Sequence, residues 1–152
     1  MTPQVRRLVP LLGLLLLCIA VLAFLIGRVG LERIRGTPGI ASTTLAKGAT
    51  DDFEPIEPTT NFSTTDEIHL IVQVRNAPVD TPVRVVWVAE AVEGAAPETI
   101  AAEFTQRLRD NQRAEFTLSN EGPWPRGRYR ADLYFDGTLV KQIPFTIGDF
   151  SP

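Results

Sequence analysis

From Leu8 to Ile26 the chain runs for nineteen residues, LVPLLGLLLLCIAVLAFLI, without a charge. As a helix rising about 1.5 Å per residue, such a run spans roughly 28 Å, close to the hydrocarbon thickness of a bilayer. It predicts one transmembrane helix. The competing reading is a cleavable signal peptide, whose apolar core is about 7–15 residues and ends at a small-x-small site. Here the run is longer, and Ala23 is followed by Phe24, Leu25 and Ile26 rather than by a polar mature start. Lipid attachment at Cys18 needs a small residue before it, and Leu17 stands there. The segment is therefore expected to stay as an anchor.

Arg6 and Arg7 precede the span, and Arg28, Arg33 and Arg35 follow it, so the positive-inside rule is nearly tied. Seven residues lie before the span and the rest of the chain lies after it. The expected orientation is therefore amino terminus inside and carboxyl terminus outside, with the trailing arginines reaching to headgroups or acidic partners. Gly13, Leu16, Ala20, Ala23 and Gly27 recur at steps of three and four. Small residues at that spacing let helix backbones approach closely in lipid. Gly13, Ala20, Ala23 and Gly27 are thus a candidate helix-packing face.

The mean hydropathy of +0.04 is high for a soluble chain of 152 residues, and the excess lies in the N-terminal run. Residues 61–152 carry thirteen acidic against nine basic residues. An acidic domain argues against nucleic-acid binding, which needs a basic face to displace phosphate counterions. Cys18 is the only cysteine, so no intrachain disulfide and no cysteine-rich metal site exists. The domain has to cohere by core burial alone.

Three regions are expected: 1–35, a transmembrane anchor with basic flanks; 36–60, a linker rich in Pro, Gly, Thr and acids; and 61–152, a folded domain. The linker segment GTPGIASTTLAKGATDDFEPIEPTT shows neither helical nor strand period and is expected to be a tether. Its acidic cluster, Asp51, Asp52, Glu54 and Glu57, is expected to be solvated.

From residue 61 onward the period becomes two. Ile68, Leu70, Val72 and Val74 share one face, with His69, Ile71, Gln73 and Arg75 on the other. Val83, Val85, Trp87 and Ala89 repeat the pattern, and Ile100, Ala102 and Phe104 predict a third strand. Gln106 to Gln112 is polar and predicts a connection or a frayed strand end. Ala114, Phe116 and Leu118 follow, then Tyr129, Ala131, Leu133 and Phe135. Asp136-Gly137 is a tight hairpin signal before a last strand with Ile143, Phe145 and Ile147 on one face. Six or seven short strands without a helical period predict a sandwich of two antiparallel sheets.

The stretch GPWPRGRYRADLYFDG, residues 122–137, refines this expectation. Pro123 and Pro125 cannot donate to a ladder and keep the chain out of a sheet before Gly127. Trp124 is placed to cover the end of the core. Tyr129 stands at a strand start, where sandwiches often tie a tyrosine hydroxyl back to a loop. Trp87 stands where such folds bury a tryptophan. Asp66-Ile68, Trp87, Trp124-Pro125-Gly127-Tyr129, Asp136-Gly137 and Phe145-Ile147 together resemble the immunoglobulin-like domains of prokaryotic surface and envelope proteins. The resemblance covers about residues 61–148 and implies an immunoglobulin-like β-sandwich with Trp87, Trp124 and Tyr129 in its structural core. It is weak for function, because such sandwiches host many binding roles.

Chemistry is sparse. His69 is the only histidine and has no second His or Cys outside the span to make a metal site. No serine stands in a nucleophile elbow, and no phosphate-binding glycine loop occurs. Asp132 and Asp136 are expected to be solvated sheet charges, and Asn61-Phe62-Ser63 matches a glycosylation acceptor. Arg126, Arg128 and Arg130 form a basic strip near Tyr134 and are candidate partner contacts. The expectation is a non-enzymatic, single-pass, membrane-anchored module without catalytic residues, cofactor or metal. Its domain is expected to be extracytoplasmic, in the periplasm or at the cell surface, with a protein partner in a membrane or envelope assembly. The alternative is a secreted domain with a cleaved signal, binding a glycan or wall polymer.

Overall fold

The computed structural model describes residues 36–149. The expected membrane span, its orientation, the small-residue face and Cys18 all lie outside the described residues. Among the described residues no helix is long and apolar enough to cross a membrane.

Among the described residues nine strands follow one another: β1 Gly39–Ala49, β2 Pro55–Pro58, β3 Asn61–Phe62, β4 Ile68–Arg75, β5 Thr81–Val92, β6 Thr99–Leu108, β7 Arg113–Leu118, β8 Gly127–Phe135 and β9 Thr138–Ile147. They form a four-stranded sheet in the order β2-β1-β4-β7 and a five-stranded sheet in the order β3-β9-β8-β5-β6. All neighbours are antiparallel except β3 and β9, which pair in parallel through Asn61 with Thr146 and Phe62 with Ile147. Alternating apolar residues from both sheets meet between them. Ile68, Leu70, Val72 and Val74 face Val83, Val85 and Trp87, all with no accessible surface.

The aromatic end of this core is built around Phe145. Phe62 and Trp87 each meet its ring edge-on at 5.8 Å, while Tyr129 stacks on it at 5.4 Å. Edge-to-face and offset contacts suit the ring quadrupole and add to the area buried. Among the described residues the buried indole N–H of Trp87 meets no hydrogen-bond acceptor. The end is closed by a loop. Trp124 donates its indole N–H to the Asp66 carbonyl (2.9 Å) and its backbone N–H to Thr64 (2.7 Å). Tyr129 donates its hydroxyl to the Pro125 carbonyl at 2.7 Å, the expected tie from strand to loop. Gly127 is needed here. Its φ is 152°, and a Cβ would lie 2.3 Å from the Ala91 carbonyl oxygen. The Asp136-Gly137 turn has φ of 49° and 79°, the pair of positive values that a two-residue hairpin requires.

Three expectations are corrected. The expected linker 36–60 contributes strands: β1 pairs with β4 from Gly39↔Arg75 to Ala46↔His69, and β2 folds back on β1. Its sequence hides this because only Leu45 and Ala46 are fully buried; the backbone ladder does the rest. The acidic cluster sits at and after the resulting hairpin, where Glu54 pairs with Arg113. The stretch 106–112 divides between the two readings: β6 runs on to Leu108, and residues 109–112 are the connection. Ile100 is 62% exposed and does not share the inner face with Ala102. A bulge places Ala102 opposite Trp87 but Ile100 opposite Val88, which flips Ile100 outward. Asp132 is buried rather than solvated, and Asp136 belongs to the turn.

Candidate functional site

The outer face of the five-stranded sheet carries the densest side-chain organisation. Val86 and Val88 alternate with the core residues of β5 and so point away from it, yet both are buried. In the ladder Val86 stands between Glu103 of β6 and Asp132 of β8, and Val88 between Ile100 and Arg130.

One group centres on Arg130, opposite Val88 in the ladder. Its Nε donates to Asp132 Oδ1 at 2.9 Å, and one terminal nitrogen reaches Glu98 at 2.7 Å and Glu90 at 3.2 Å. Gln142 Nε2 donates to the same Asp132 oxygen at 2.9 Å. Hydrogen bonds to Asp132 and Glu98, followed by Glu90, push the guanidinium further above its already high value, against the opposing effect of desolvation. The second group is a stack. Arg84 lies 4.0 Å over the Tyr134 ring and 3.2 Å from Glu103. A guanidinium on an aromatic face keeps its charge and adds a contact of about 0.5–1 kcal/mol at an exposed site. Beside Tyr134 in the ladder stands half-exposed Leu139.

This arrangement changes the meaning of the basic strip. Arg130 is committed to three carboxylates, so this face is charge-paired rather than basic. Arg128 and the exposed Arg126, which precedes the strand, belong to the rim. The sequence signal was incomplete because Glu90 and Glu98 come from another strand and its following loop. No spacing along β8 reveals them.

His69 lies on the outer face of the other sheet. Its Nδ1 contacts Glu115, its Nε2 lies 3.7 Å from Glu67, and Thr117 is 3.4 Å away. It is therefore a partnered surface-sheet histidine. Asn61 of the glycosylation pattern is exposed, and its side-chain oxygen accepts from Thr146 at 2.6 Å. Among the described residues no group of three His, Cys, Asp or Glu is placed to hold a metal. A shallow open depression of about 170 Å³ lies at the β8–β9 end and is lined by Glu90, Arg128, Tyr129, Pro144 and the β3 start. It is smaller than the roughly 300–1,000 Å³ of small-molecule sites.

The sheet edges differ as well. β2 begins and ends with proline, β3 has two residues, and β7 has the Gln106 side chain donating to its Glu115 carbonyl at 2.6 Å. β6 is the long one: ten residues, terminal in its sheet and without proline. Its bulge-free part is 102–108, with Phe104 43% exposed.

No family model matches the chain, and no curated protein matches it by sequence. Among solved structures it is similar to an immunoglobulin-like protein from Pseudomonas aeruginosa. The identity is 12% and the TM-score 0.51, over 75% of this chain and 98% of that one. It is also similar to a β-glucosidase from Listeria innocua, at 12% identity and a TM-score of 0.48, over 75% of this chain but only 16% of the enzyme. At such identities the likeness concerns the fold alone. Two packed sheets, the buried Trp87, the Tyr129 tie and the Pseudomonas neighbour together make residues 37–149 an immunoglobulin-like, all-β sandwich.

Proposed function

We propose that this chain is a non-enzymatic interaction module. A single membrane-spanning segment at residues 8–26 anchors it, and its sandwich lies on the extracytoplasmic side. It serves as an accessory or structural subunit of a membrane or envelope assembly and meets its partner through the outer face of the five-stranded sheet. The supporting observation is that face itself. It is paired in charge, carries the Arg84–Tyr134 stack and ends in exposed Leu139 and Ile100. Paired charges with an aromatic and an arginine at the surface suit recognition of another protein, where such residues are enriched. In this reading the spacer between span and first strand is only residues 27–38.

Two measurements test the proposal. Intact mass of protein extracted from membranes finds residues 1–30 retained; a mature amino terminus beyond Ala23 rejects the anchor. Arg84→Glu reverses the charge above Tyr134 and weakens capture of the cognate partner by on the order of tenfold, the effect of losing one well-placed charged contact. Unchanged capture removes the outer face from the interface.

A further inference from the structure

The geometry of β6 points to a second copy of this chain as the occupant of its free edge. We infer that two chains pair antiparallel through β6, about a two-fold axis at Thr105, and merge their five-stranded sheets. This goes beyond the membrane reading and does not depend on it.

The first step is the edge. A strand edge is a row of N–H and C=O groups that templates another strand unless it is guarded. In this sandwich the prolines guard β2, brevity guards β3 and Gln106 occupies a carbonyl on β7. Among the described strands, β6 pairs with β5 on one side only.

The second step is the register. When a two-fold axis runs perpendicular to the sheet, paired residues lie on the same face, so their numbers sum to an even value. Centring on Glu103 sets like charges directly opposite, which is unfavourable. Centring on Thr105 uses the whole bulge-free stretch 102–108 symmetrically. It sets Glu103 opposite the second copy's Arg107, and Arg107 opposite the second copy's Glu103. It also sets Phe104 opposite Gln106, and Ala102 opposite Leu108. Glu103, Thr105 and Arg107 lie opposite Val86, Arg84 and Pro82 of β5, on the outer face. Glu103 already holds Arg84 at 3.2 Å, so an incoming guanidinium places one carboxylate between two arginines. Arg107 uses one nitrogen on the Asp80 carbonyl at 3.1 Å, and a guanidinium has five N–H donors.

The experiment is disulfide trapping of the full chain in mild detergent, with Cys18→Ser as background and Thr105→Cys added. Opposed Cα atoms in antiparallel strands are about 4.5–5.5 Å apart, within disulfide reach. Thr105→Cys forms a crosslinked dimer, and Glu121→Cys, in an exposed loop, is the control. Arg107→Glu alone and Glu103→Arg alone each set two like-charge pairs opposite one another, and each lowers crosslinking by on the order of tenfold. Mixing these two variants, one carrying a mass tag, restores both pairs and recovers the mixed dimer. Crosslinking at 105 no greater than at 121 overturns the inference. So does crosslinking that neither charge change alters, or a mixture that fails to recover.

Discussion

Replacing Tyr129 by Phe removes one oxygen and separates two effects of pH. The hydroxyl donates to the Pro125 carbonyl at 2.7 Å, and the ring is 2% exposed. Near neutral pH, loss of that bond costs about 1 kcal/mol. Burial also pushes the phenol up to about 12 from its ordinary value of 10. A raised value means that the folded chain holds its proton after the unfolded chain has lost it. The associated stability is intact below pH 10 and drains away as pH climbs toward 12. By pH 11 the loss is on the order of 1 kcal/mol, and above pH 12 it reaches a few kcal/mol. The Phe variant has no such proton. Wild type therefore starts about 1 kcal/mol ahead at pH 8, loses that lead between pH 10 and pH 12 and falls behind the variant above it. Urea unfolding of the full chain at a series of pH values, followed by tryptophan fluorescence, measures the difference directly. A constant gap from pH 8 to pH 11.5 refutes the claim that the hydroxyl is desolvated and tied.

Three further outcomes are expected. Gly127→Ala places a Cβ 2.3 Å from the Ala91 carbonyl and forces β5 and β8 apart, so urea midpoints report a loss of at least about 2 kcal/mol. Trp87→Ala empties the centre of the core and costs about 3–5 kcal/mol by the same assay, while a cost below about 1 kcal/mol contradicts its central placement. Burial raises the Asp66 carboxyl, but hydrogen bonds from Ser63 and the nearby Lys47 ammonium outweigh it and hold the group below its usual 3.8. Its stability is present above that value and is lost as pH falls through the lowered one, so acid titration of Asp66→Asn shows a shallower decline than wild type.

The strands with strict apolar alternation were legible in the sequence. β4, β5, β7 and β8 each put a regular set of side chains inward, and the Asp136-Gly137 turn and the Tyr129 tie follow from local chemistry. β1 was not legible, because GIASTTLAKGA has no regular apolar period and is held by its ladder to β4. The bulge in β6 was invisible for a related reason: one extra residue shifts the face without changing composition, so Ile100 looked like a core residue. The basic strip on β8 was legible as residues but not as electrostatics, since the acids that neutralise Arg130 include Glu90 and Glu98 from elsewhere in the chain. Val86 and Val88 show the same limit: both are buried on an outer face where their ladder neighbours include Glu103, Asp132 and Arg130 from elsewhere in the chain.

The parallel pair β3–β9 also bears on the order of assembly. Asn61 and Thr146 are 85 positions apart, and among the described strands β3 has only β9 beside it. A polypeptide emerging from its amino end makes Phe62 long before Phe145, the ring against which it packs. β1, β2 and β4 have one another early, whereas the aromatic cluster waits for the final hairpin. Closing so long a loop is slow, and the unclosed intermediate leaves aromatic surface open to other chains. The vulnerable interval for this sandwich thus lasts until β9 is made and docked.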